Sequence, residues 1–493
     1  TGRTRTAPVG DIDSLRFGIV SCSNYEHGYF SPYRHLMDRN DIDCILHLGD
    51  YIYEYEVGGY SANISGRENE PTNEIITLED YRIRHSHYKL DDDLRKLHQQ
   101  YPFINIWDDH ESANDSYVDG ADNHDPGTEG LWSDRKANSA QAYHEWLPIR
   151  SPQPGNLRIY REFQFGDLIN LPMLDTRIEA RSEQGGSGEV NDPTRTLLGP
   201  VQYDWLTTNL TNSTKRWNII GQQVMMAPLE IFGTPANYDQ WDGYNFEREK
   251  LLTFVDTANI NNFVVLTGDI HTSWVNDIPM SGYDASNCTN SAGVEFVVTS
   301  VTSTSFLTFS VGSGLIKSMN PHMQYIDLAQ RGYGILDVSK TKCQMDYYYM
   351  DDIEDPLSNE YYGTGYFVNN NETCANQASG FTVRPGVLPI PAPEFPYGYV
   401  SLVDVEEHNF TVFGAYPNPA QSEVTFQFYL NKPEELKISV YDIAGKQVYT
   451  DMISSFNTGV NYAQINISTL ASGTYSFIIE SETNRVSKTI IKR

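Results

Sequence analysis

The sequence predicts an α/β protein, with a layered β-sheet core and flanking helices, followed by a small all-β sandwich at the C-terminal end. One observation favours the core: short apolar runs ending in polar clusters alternate with segments of helical character. From about residue 410 onward, short alternating strands are separated by Asn-Pro, Gly and Ser turns instead. We therefore predict a large first domain over residues 1–400, a linker over 401–412 and a C-terminal domain over 413–493.

The apolar runs are interpreted as buried strands, because each is short and is bounded by polar or turn-forming residues. Helical segments lie between them: SPYRHLMDRN, LEDYRIRHSHYKLDDDLRKLHQQY and SDRKANSAQAYHEWL. In such domains, functional groups gather beyond the carboxyl ends of the strands. The runs, with the residues at which they end, are LRFGIVSCSN at Cys22, CILHLGDYIY at Asp50 and Tyr53, FINIWDDHES at Asp108 to Glu111, LINLPMLDTR at Asp175 and Arg177, WNIIGQQVMM at amides, and NNFVVLTGDIHTSW at Asp269 and His271.

The composition changes at about Val298, where Ser, Thr, Tyr and Gly become frequent and strand-like runs such as GYGILDVSK and CQMDYYYMDD appear. A proline-rich stretch, Val383 to Gly398, is interpreted as an extended connector without helix. The segment after it contains no cluster of histidine, cysteine or convergent acids. We therefore expect the C-terminal domain to be non-catalytic.

The chain of 493 residues has a formal net charge of −30, which argues against nucleic acid as a specific partner. An anionic substrate must be attracted locally, by metal ions or a few arginines. No apolar run of about 18 residues is present, so we predict no transmembrane span. The first residues, TGRTRTAPVG, lack the apolar region of a signal peptide, and we expect a chain already processed or trimmed.

Seven polar residues at the strand ends are predicted to converge on one site. Without cations, so many ionisable groups in one place would repel one another or titrate abnormally. A thiolate, a phenolate and an imidazole suit a transition metal, whereas carboxylates suit calcium, magnesium or manganese. Asp50 is the natural bridge between two ions, an arrangement that clamps phosphoryl oxygens and activates a water. The seven residues are Cys22, Asp50, Tyr53, Asp109, His110, Asp269 and His271.

Each of these residues also has a purely structural interpretation when it is taken alone. Cys22 could be a small buried apolar residue, and Asp50 could form a turn. His271 could be a core histidine, and Asp108 or Asp109 could cap a helix. The pair Gly-Asp occurs at two strand ends, however, and the combination of residues favours a metal site.

The segments SCSNYEHGYF, HLGDYIYEY, WDDHES, LDTR, WDGY and LTGDIHTSW, in this order and spacing, resemble the PhoD-type alkaline phosphatases. These belong to the calcineurin-like metallophosphoesterase superfamily, and the resemblance covers roughly residues 10–400. The sequence differs from generic members of the superfamily at two motifs. SCS around Cys22 replaces Asp-X-His, and DHE around His110 replaces Asn-His-Asp/Glu.

This resemblance implies a role for each residue of the predicted site. His110 would lie near the leaving group as a hydrogen-bond donor or general acid, and Arg177 would steady a phosphate oxygen. A second calcium ion is also implied, for which Asn114 and Asp115 are candidate ligands. Zn²⁺ or Mn²⁺ in place of iron is the alternative. The implied primary ligands are Cys22, Asp50, Tyr53 and His271 for a ferric ion, and Asp50, Asp109 and Asp269 for Ca²⁺.

The C-terminal segments FGAYPNPAQSEVTFQF, ISVYDIAGKQV and SGTYSFIIES resemble the sorting domains of the type nine secretion system of Bacteroidetes. This resemblance implies that the secretion machinery exports the protein, which is then secreted or held at the outer cell surface. An oxidising environment is therefore expected. Such an environment favours a disulfide bond among Cys288, Cys343 and Cys374. Cys22 is expected to stay free for iron, and Cys44 to lie inside a strand.

The function expected from these features is a secreted, metal-dependent phosphatase that hydrolyses phosphate monoesters, and also diesters, to scavenge phosphate. Its substrates would be small phosphate esters, including nucleotides, or the phosphodiesters of lipids and polymers. The alternative on the same fold is a phosphodiesterase, a phospholipase D-like enzyme or a teichoic-acid hydrolase. A carbohydrate- or surface-binding protein with structural calcium only is the alternative from another class.

Overall fold

A computed structural model describes residues 2–150, 158–304, 312–384, 391–392, 410–416, 418–430, 432–443, 445–481 and 485–493. The chain divides into two compact units, Thr1–Pro393 and Glu394–Arg493. The predicted proline-rich connector lies mostly outside the described residues, as does the predicted linker, whose last three residues belong to a strand, Phe410–Tyr416. Within the described residues, no helix combines the length and the apolar character needed to span a membrane.

The strands of the first unit form two large sheets and a short hairpin. In chain order they are β1 (Ser14–Val20), β2 (Cys44–His47), β3 (Phe103–Asn105), β4 (Arg161–Phe165), β5 (Ile169–Met173), β6 (Trp217–Gly221), β7 (Glu230–Ile231), β8 (Thr234–Pro235), β9 (Phe263–Thr267), β10 (Ser273–Asp284), β11 (Thr289–Val297), β12 (Met323–Asp327), β13 (Gly332–Ser339), β14 (Lys342–Met350), β15 (Glu360–Asn369) and β16 (Asn376–Gln377).

The helices of this unit lie mainly between the early strands, as the alternation in the sequence predicts. The predicted helical stretch after residue 77 is two helices, because the Asp91 side chain accepts hydrogen bonds from the amides of Asp93 and Leu94 and starts a new helix there. The helices are α1 (Ser31–Arg39), α2 (Leu78–Tyr88), α3 (Asp92–Gln100), α4 (Trp132–Trp146), α5 (Gly199–Asn212), α6 (Asn245–Thr257) and α7 (Ser313–Met319), with 3₁₀ turns at Tyr25–His27 and Trp241–Tyr244.

The predicted layered α/β architecture is confirmed. One sheet has the order β16-β15-β14-β13-β1-β2-β3, and the other has the order β12-β10-β11-β9-β6-β5-β4. β1, β2 and β3 pair in parallel, and so do β5, β6, β9 and β11. The two sheets pack face to face, as shown by Phe17 of β1, whose ring lies 5.4 Å from that of Phe165 in β4. The carboxyl ends of the central strands of both layers are therefore available to build one site.

The second unit is all-β, as predicted. Its apolar core includes Phe426 and Phe477, whose rings lie 5.3 Å apart. Its two antiparallel sheets have the orders β17-β18-β21 and β20-β19-β22-β23, formed by β17 (Phe410–Tyr416), β18 (Glu423–Leu430), β19 (Glu434–Tyr441), β20 (Gln447–Phe456), β21 (Gly459–Asn466), β22 (Gly473–Glu480) and β23 (Arg485–Lys492).

One disulfide bond, between Cys288 and Cys374, ties the turn between β10 and β11 to the loop between β15 and β16. It settles the pairing that the sequence left open. Cys343, the third candidate, is a buried free thiol in β14, and Cys22 and Cys44 are also free and buried. The crosslink joins strands of different sheets and closes a loop of 86 residues, so it restricts the unfolded chain strongly.

Replacing both Cys288 and Cys374 by serine should lower the free energy of unfolding of the first unit by about 2–4 kcal/mol, because the unfolded chain gains conformational freedom. Denaturant unfolding with and without a thiol reductant measures this loss. The wild type should be destabilised by the reductant and the double variant should not. Equal stability of the oxidised wild type and the double variant would contradict the prediction.

Candidate metal centre

Four of the predicted metal ligands lie in strand-end loops whose backbone adopts the left-handed region. The φ angles are 59° at Cys22 after β1, 56° at Asp50 after β2, 63° at Asp269 after β9, and 56° at His271. Non-glycine residues adopt this conformation at a cost, and such residues cluster at functional sites. The loops are also tied together, because the amide of Cys22 donates to the carbonyl of Gly49 at 3.0 Å.

The repeated Gly-Asp pair has a steric origin at both strand ends. A Cβ on Gly49, whose φ is 113°, would lie 2.4 Å from the Cβ of Asp108, and a Cβ on Gly268 would lie 2.8 Å from that of Ser21. Only glycine therefore permits neighbouring strand-end loops to approach so closely. The close approach brings the following carboxylates, the buried Asp50 and the half-buried Asp269, into one cluster.

The first group of donor atoms combines Cys22, Asp50 and His271, whose ligating atoms lie within 4.8 Å of one another. Tyr53 completes it, because its hydroxyl donates to Asp50 Oδ2 at 2.9 Å and lies 3.3 Å from His271 Nε2. Ser303 Oγ donates to the same phenolic oxygen at 2.6 Å. The structure thus brings together the four residues predicted to hold iron.

The electrostatics of this group fit a cation. Burial, and next the negative charge of Asp50, raise the pKa of the Cys22 thiol and of the Tyr53 phenol well above their usual values. Both groups are therefore protonated unless a positive charge is placed between them. A thiolate, a phenolate, a carboxylate and an imidazole on one point form a donor set suited to a transition metal.

Two further groups of donor atoms extend the cluster into a carboxylate-rich region. Asp50 belongs to the first and second of the three groups, and Asp109 belongs to the second and third. The groups are Asp50, Asp109 and His110, and Asp108, Asp109 and Asp269. Burial and neighbouring carboxylates raise the pKa of Asp108 and Asp269 well above the usual range, although Arg177 opposes the shift. Asp108 Oδ2 is buried without a hydrogen-bond partner among the described residues, as expected of an oxygen that serves a cation. This region suits an oxygen-liganded ion such as calcium.

Asp108 was not among the predicted ligands, although the sequence places it directly before Asp109. The candidate ligands of a second calcium ion lie at the edge of the same region. The amide of Asp115 donates to Asp109 Oδ2 at 2.6 Å, and burial followed by the charge of Asp239 raises the pKa of Asp115 to about 7. The amide of Asn114 donates to Glu54 instead. A role of either residue in binding calcium stays a prediction.

Arg177 lies inside the cluster, and its side chain is fully buried. Its guanidinium pairs with Asp108 through Nε, with Asp239 at 2.8 Å and with Asp269 at 2.6 Å. Asp239 also pairs with Arg181, so it joins two buried arginines. Arg177 is therefore the main positive charge of this part of the site, and its predicted contact with a phosphate oxygen stays a prediction.

His110 is held by a residue that sequence reasoning missed. His110 Nδ1 lies 2.7 Å from Oε2 of the fully buried Glu54, and Glu54 Oε1 accepts from the amide of Asn114 and from Asn123 Nδ2. The His110 ring also stacks on Tyr53, with centroids 4.3 Å apart. Although burial opposes it, the charges of Glu54 and Asp109 raise the pKa of His110 well above its usual value. The imidazole is therefore fixed in orientation and favoured in its protonated form.

Glu111 is a second residue whose role could not be predicted. Its carboxylate accepts from the amides of Asp50 at 3.0 Å, Tyr51 at 2.6 Å and Asp108 at 2.8 Å. It thereby clamps the loop after β2 against the loop after β3. Burial and the charge of Asp50 raise the pKa of Glu111 to about 8. Local sequence gives no signal for this clamp beyond the position of Glu111 in the WDDHE segment.

The two mixed sheets carry a thiol, a phenol, an imidazole and several carboxylates at the ends of their central parallel strands, and this combination defines a metal-dependent hydrolase. Residues 17–347 match the model of the PhoD-like phosphatase family, and the chain belongs to this family. Residues 414–493 match the model of the secretion system C-terminal sorting domain, which indicates export and attachment at the cell surface. Both resemblances seen in the sequence are confirmed.

Two relatives illustrate the match. Alkaline phosphatase D of Bacillus subtilis (strain 168) is 35% identical over 410 residues, which cover 78% of this chain and 68% of that protein. The solved structure described as "Structure of PhoD" is 32% identical and has a TM-score of 0.70. The matched region covers 78% of this chain and 76% of the solved chain. All the predicted site residues lie inside the family match.

The buried carboxylates predict that calcium stabilises the protein more at high pH than at low pH. Glu111 and Asp115 ionise less readily when folded, so the metal-free protein loses stability as pH rises from about 4 through the raised pKa values near 8 and 7. The charge of a calcium ion bound in the same cluster favours the ionised forms of both groups and should reverse this loss. Thermal unfolding in chelator and in calcium, at about pH 5.5 and pH 8.5, measures the effect.

The calcium-induced rise in melting temperature should be larger at the higher pH and should be reduced in an Asp109→Asn variant. An Asp284→Asn variant, which alters an exposed carboxylate at the end of β10, is the matched control and should behave like the wild type. An equal calcium effect at both pH values would contradict the prediction.

Proposed function

We propose that this protein is an exported, metal-dependent phosphatase that hydrolyses phosphate monoesters. The observation that carries the proposal is the convergence of the Cys22, Asp50, Tyr53 and His271 donor set with a second, carboxylate-rich group at the strand ends of a PhoD-like phosphatase fold. The named activity of the Bacillus subtilis relative supports the same reaction. The comparisons do not favour a phosphodiesterase, a phospholipase D-like enzyme or a teichoic-acid hydrolase, and the family leaves no support for a protein that only binds carbohydrate.

The proposed cofactors are one ferric ion and one or two calcium ions, with Zn²⁺ or Mn²⁺ as the alternative to iron. Cys22, Asp50, Tyr53 and His271 would hold the ferric ion, and Asp50, Asp109 and Asp269 would hold calcium. When bound, such ions neutralise the charge of the phosphate and lower the pKa of the water that attacks phosphorus. The thiol and phenol fit this assignment because burial leaves them protonated unless a cation is present.

His110 is the proposed general acid of the reaction. Its Nδ1 is held by Glu54, which leaves Nε2 as the atom that can face the ester. When the bond between phosphorus and the ester oxygen breaks, the proton on Nε2 passes to that oxygen, which leaves as an alcohol. The carboxylates of Glu54 and Asp109 raise the pKa of His110 and so favour the protonated imidazole that this role requires.

Arg177 and Asp239 are proposed to preserve the charge balance of the site. Arg177 would steady a phosphate oxygen once cations bind the carboxylates of Asp108 and Asp269, with which its guanidinium now pairs. Positioning and charge neutralisation then supply most of the rate enhancement, because phosphoryl transfer requires little covalent chemistry from the protein. After export through the secretion machinery, phosphate released from small esters or nucleotides would be available for uptake.

Replacing Cys22 by alanine should remove iron and reduce phosphatase activity to a few per cent or less, because the thiolate is one of the proposed iron ligands. Elemental analysis, the visible absorption spectrum and hydrolysis of an aryl phosphate measure the effect. Cys44→Ala removes another buried thiol, outside the site, and should retain both iron and activity. Full activity and unchanged metal content in Cys22→Ala would overturn the iron assignment.

The Tyr53→Phe variant provides a spectroscopic test of the same assignment. It should abolish a phenolate-to-iron band in the visible, whereas Tyr51→Phe, whose hydroxyl faces His98 instead, should retain it. Zinc or manganese in colourless wild-type protein would support the alternative metals and discard the proposed roles of Cys22 and Tyr53. A metal-loaded wild type that hydrolyses no phosphate ester would overturn the proposed function.

Replacing Glu54 by glutamine should lower kcat by roughly 10²-fold for an alkyl phosphate, because His110 loses the carboxylate that orients and charges it. The loss should be much smaller for an aryl phosphate, whose leaving group needs little protonation. Glu56→Gln, an exposed carboxylate on the same segment, is the matched control. An equal loss for both substrates would show that Glu54 supports only the fold.

A further inference from the structure

The loop after β6 lies between two loops of the site and has no role in the mechanism above. β6 pairs with β5 on one side and with β9 on the other, and the loops after those strands carry Arg177 and Asp269. The loop after β6, QQVMMAPL, contains no charged residue and begins with two fully buried amides, Gln222 and Gln223. Amides are buried at a cost unless hydrogen bonds compensate them. The partners of these two side chains therefore indicate what the loop does.

Gln223 uses the full hydrogen-bonding capacity of its amide. Its Nε2 donates to the carbonyl of Trp107 at 2.7 Å and to the carbonyl of Leu174 at 2.8 Å. Its Oε1 accepts from the hydroxyl of Thr176 at 2.6 Å and from the amide of the same residue at 3.3 Å. Its own backbone carbonyl accepts from the amide of Gly268 at 2.9 Å. One residue therefore joins the loops after β3, β5 and β9.

Three of these partners directly precede, in the chain, a charged residue of the site. Those charged residues also contact one another, because the Arg177 guanidinium pairs with Asp108 through Nε and with Asp269 at 2.6 Å. Gln223 thus holds the backbone beside each member of this group, while their side chains hold one another. The three steps along the chain are Trp107 to Asp108, Thr176 to Arg177, and Gly268 to Asp269.

A neutral amide suits the surroundings of Gln223. The side chain faces two carbonyl oxygens, which need donors, and a hydroxyl group, which needs an acceptor. A carboxylate at this position would repel the carbonyl oxygens and add negative charge to a region that already contains Asp108 and Asp269. An amide connects the loops without changing the charge that the cations must compensate.

Gln222, the neighbouring amide, is equally buried but has different partners. Its Nε2 donates to the carbonyl of Val224 at 2.9 Å and to the hydroxyl of Thr267 at 3.3 Å. Its Oε1 accepts from Trp241 Nε1 at 2.8 Å. None of these three partners is next in the chain to one of the three charged residues named above. The two amides therefore differ in what they hold, although they match in type and burial.

We propose that Gln223 is a positioning residue of the reaction, which fixes the Arg177 guanidinium at the place where it steadies a phosphate oxygen. Gln223 does not touch the substrate. It acts through the backbone of Thr176, which carries Arg177, and of Trp107, which carries the partner of the guanidinium. This inference rests on the proposed phosphatase function and adds a residue to it. A displacement of a positioned group by about 1 Å is enough to lower a rate by about 10²-fold.

The first test compares Gln223→Met with Gln222→Met, using the full metal-loaded chain and an aryl phosphate. Gln223→Met retains an unbranched side chain of similar length and removes the amide, and it should lower kcat/KM by roughly 10- to 100-fold. Inhibition by inorganic phosphate should weaken as well, because the displaced guanidinium contacts the phosphate itself. Gln222→Met removes an equally buried amide and should leave both quantities close to those of the wild type.

A double-mutant cycle with Arg177→Lys separates positioning from general support of the fold. If Gln223 acts through Arg177, its replacement should lower kcat/KM by less than about threefold in the Arg177→Lys background, because the guanidinium is already gone. A residue that only stabilises the fold would cause the same fold-loss in both backgrounds.

Thr176→Val provides a milder variant of the same contact. It removes only the hydroxyl that donates to Gln223, and the loops after β3 and β5 stay joined, because Trp107 Nε1 donates to Asp175 Oδ2 at 2.9 Å. It should lower kcat/KM by about three- to tenfold, the effect of one lost hydrogen bond. The loss should not add to that caused by Gln223→Met.

Gln223→Met as active as Gln222→Met, or equal losses in both backgrounds of the cycle, would overturn the inference and leave the proposed phosphatase intact. Thermal unfolding shows whether each variant is folded. If Gln223→Met is not, Thr176→Val decides, and wild-type kcat/KM in that variant would overturn the inference. A metal-loaded wild type inactive on the aryl phosphate would overturn the proposed function itself.

Discussion

The concentration of buried negative charge around Asp50 is the constraint on which the rest of the site depends. Carboxylates of this kind are stable inside a protein only when cations or hydrogen bonds compensate them. The chain supplies part of the compensation itself, through Arg177, Arg181 and the imidazole of His110. In the proposed site, metal ions compensate the rest of the negative charge. The candidate metal ligands and the residues that position them therefore lie in one cluster.

The same constraint determines how the strand-end loops are built. The proposed ligands Cys22, Asp50, Asp269 and His271 all adopt a left-handed backbone in the loops at the strand ends. The cost of these conformations is offset by hydrogen bonds between loops, above all by the Glu111 carboxylate. The two sheets then act as a rigid base, because their central strands are buried on both faces.

The sequence could predict those features of the fold and site that depend on the pattern of neighbouring residues. Asp50 and Asp269 each follow Gly at the end of an apolar run, so both the strand and its functional end were recognisable. Cys22 and Tyr53 became informative only in combination, because either residue alone is an ordinary core residue. The all-β character of the C-terminal unit followed from alternation and turn residues in the same way.

The parts that could not be predicted depend on partners distant in the chain. Glu54 and His110 are 56 residues apart, and the sequence gives no sign that one holds the other. The link between Arg177 and Asp239 is of the same kind. Such roles arise from tertiary approach, which neither periodicity nor residue type records.

The disulfide between Cys288 and Cys374 makes the stability of the protein depend on whether its surroundings are reducing or oxidising. Inside a reducing cytoplasm the two cysteines are thiols, and other contacts hold the segments together, such as the hydrogen bond from Ser291 Oγ to the carbonyl of Thr373. The covalent crosslink forms only once the chain has reached an oxidising compartment. The reduced chain is therefore the less stable of the two forms, and the same chain becomes more resistant to unfolding and proteolysis once the crosslink has formed.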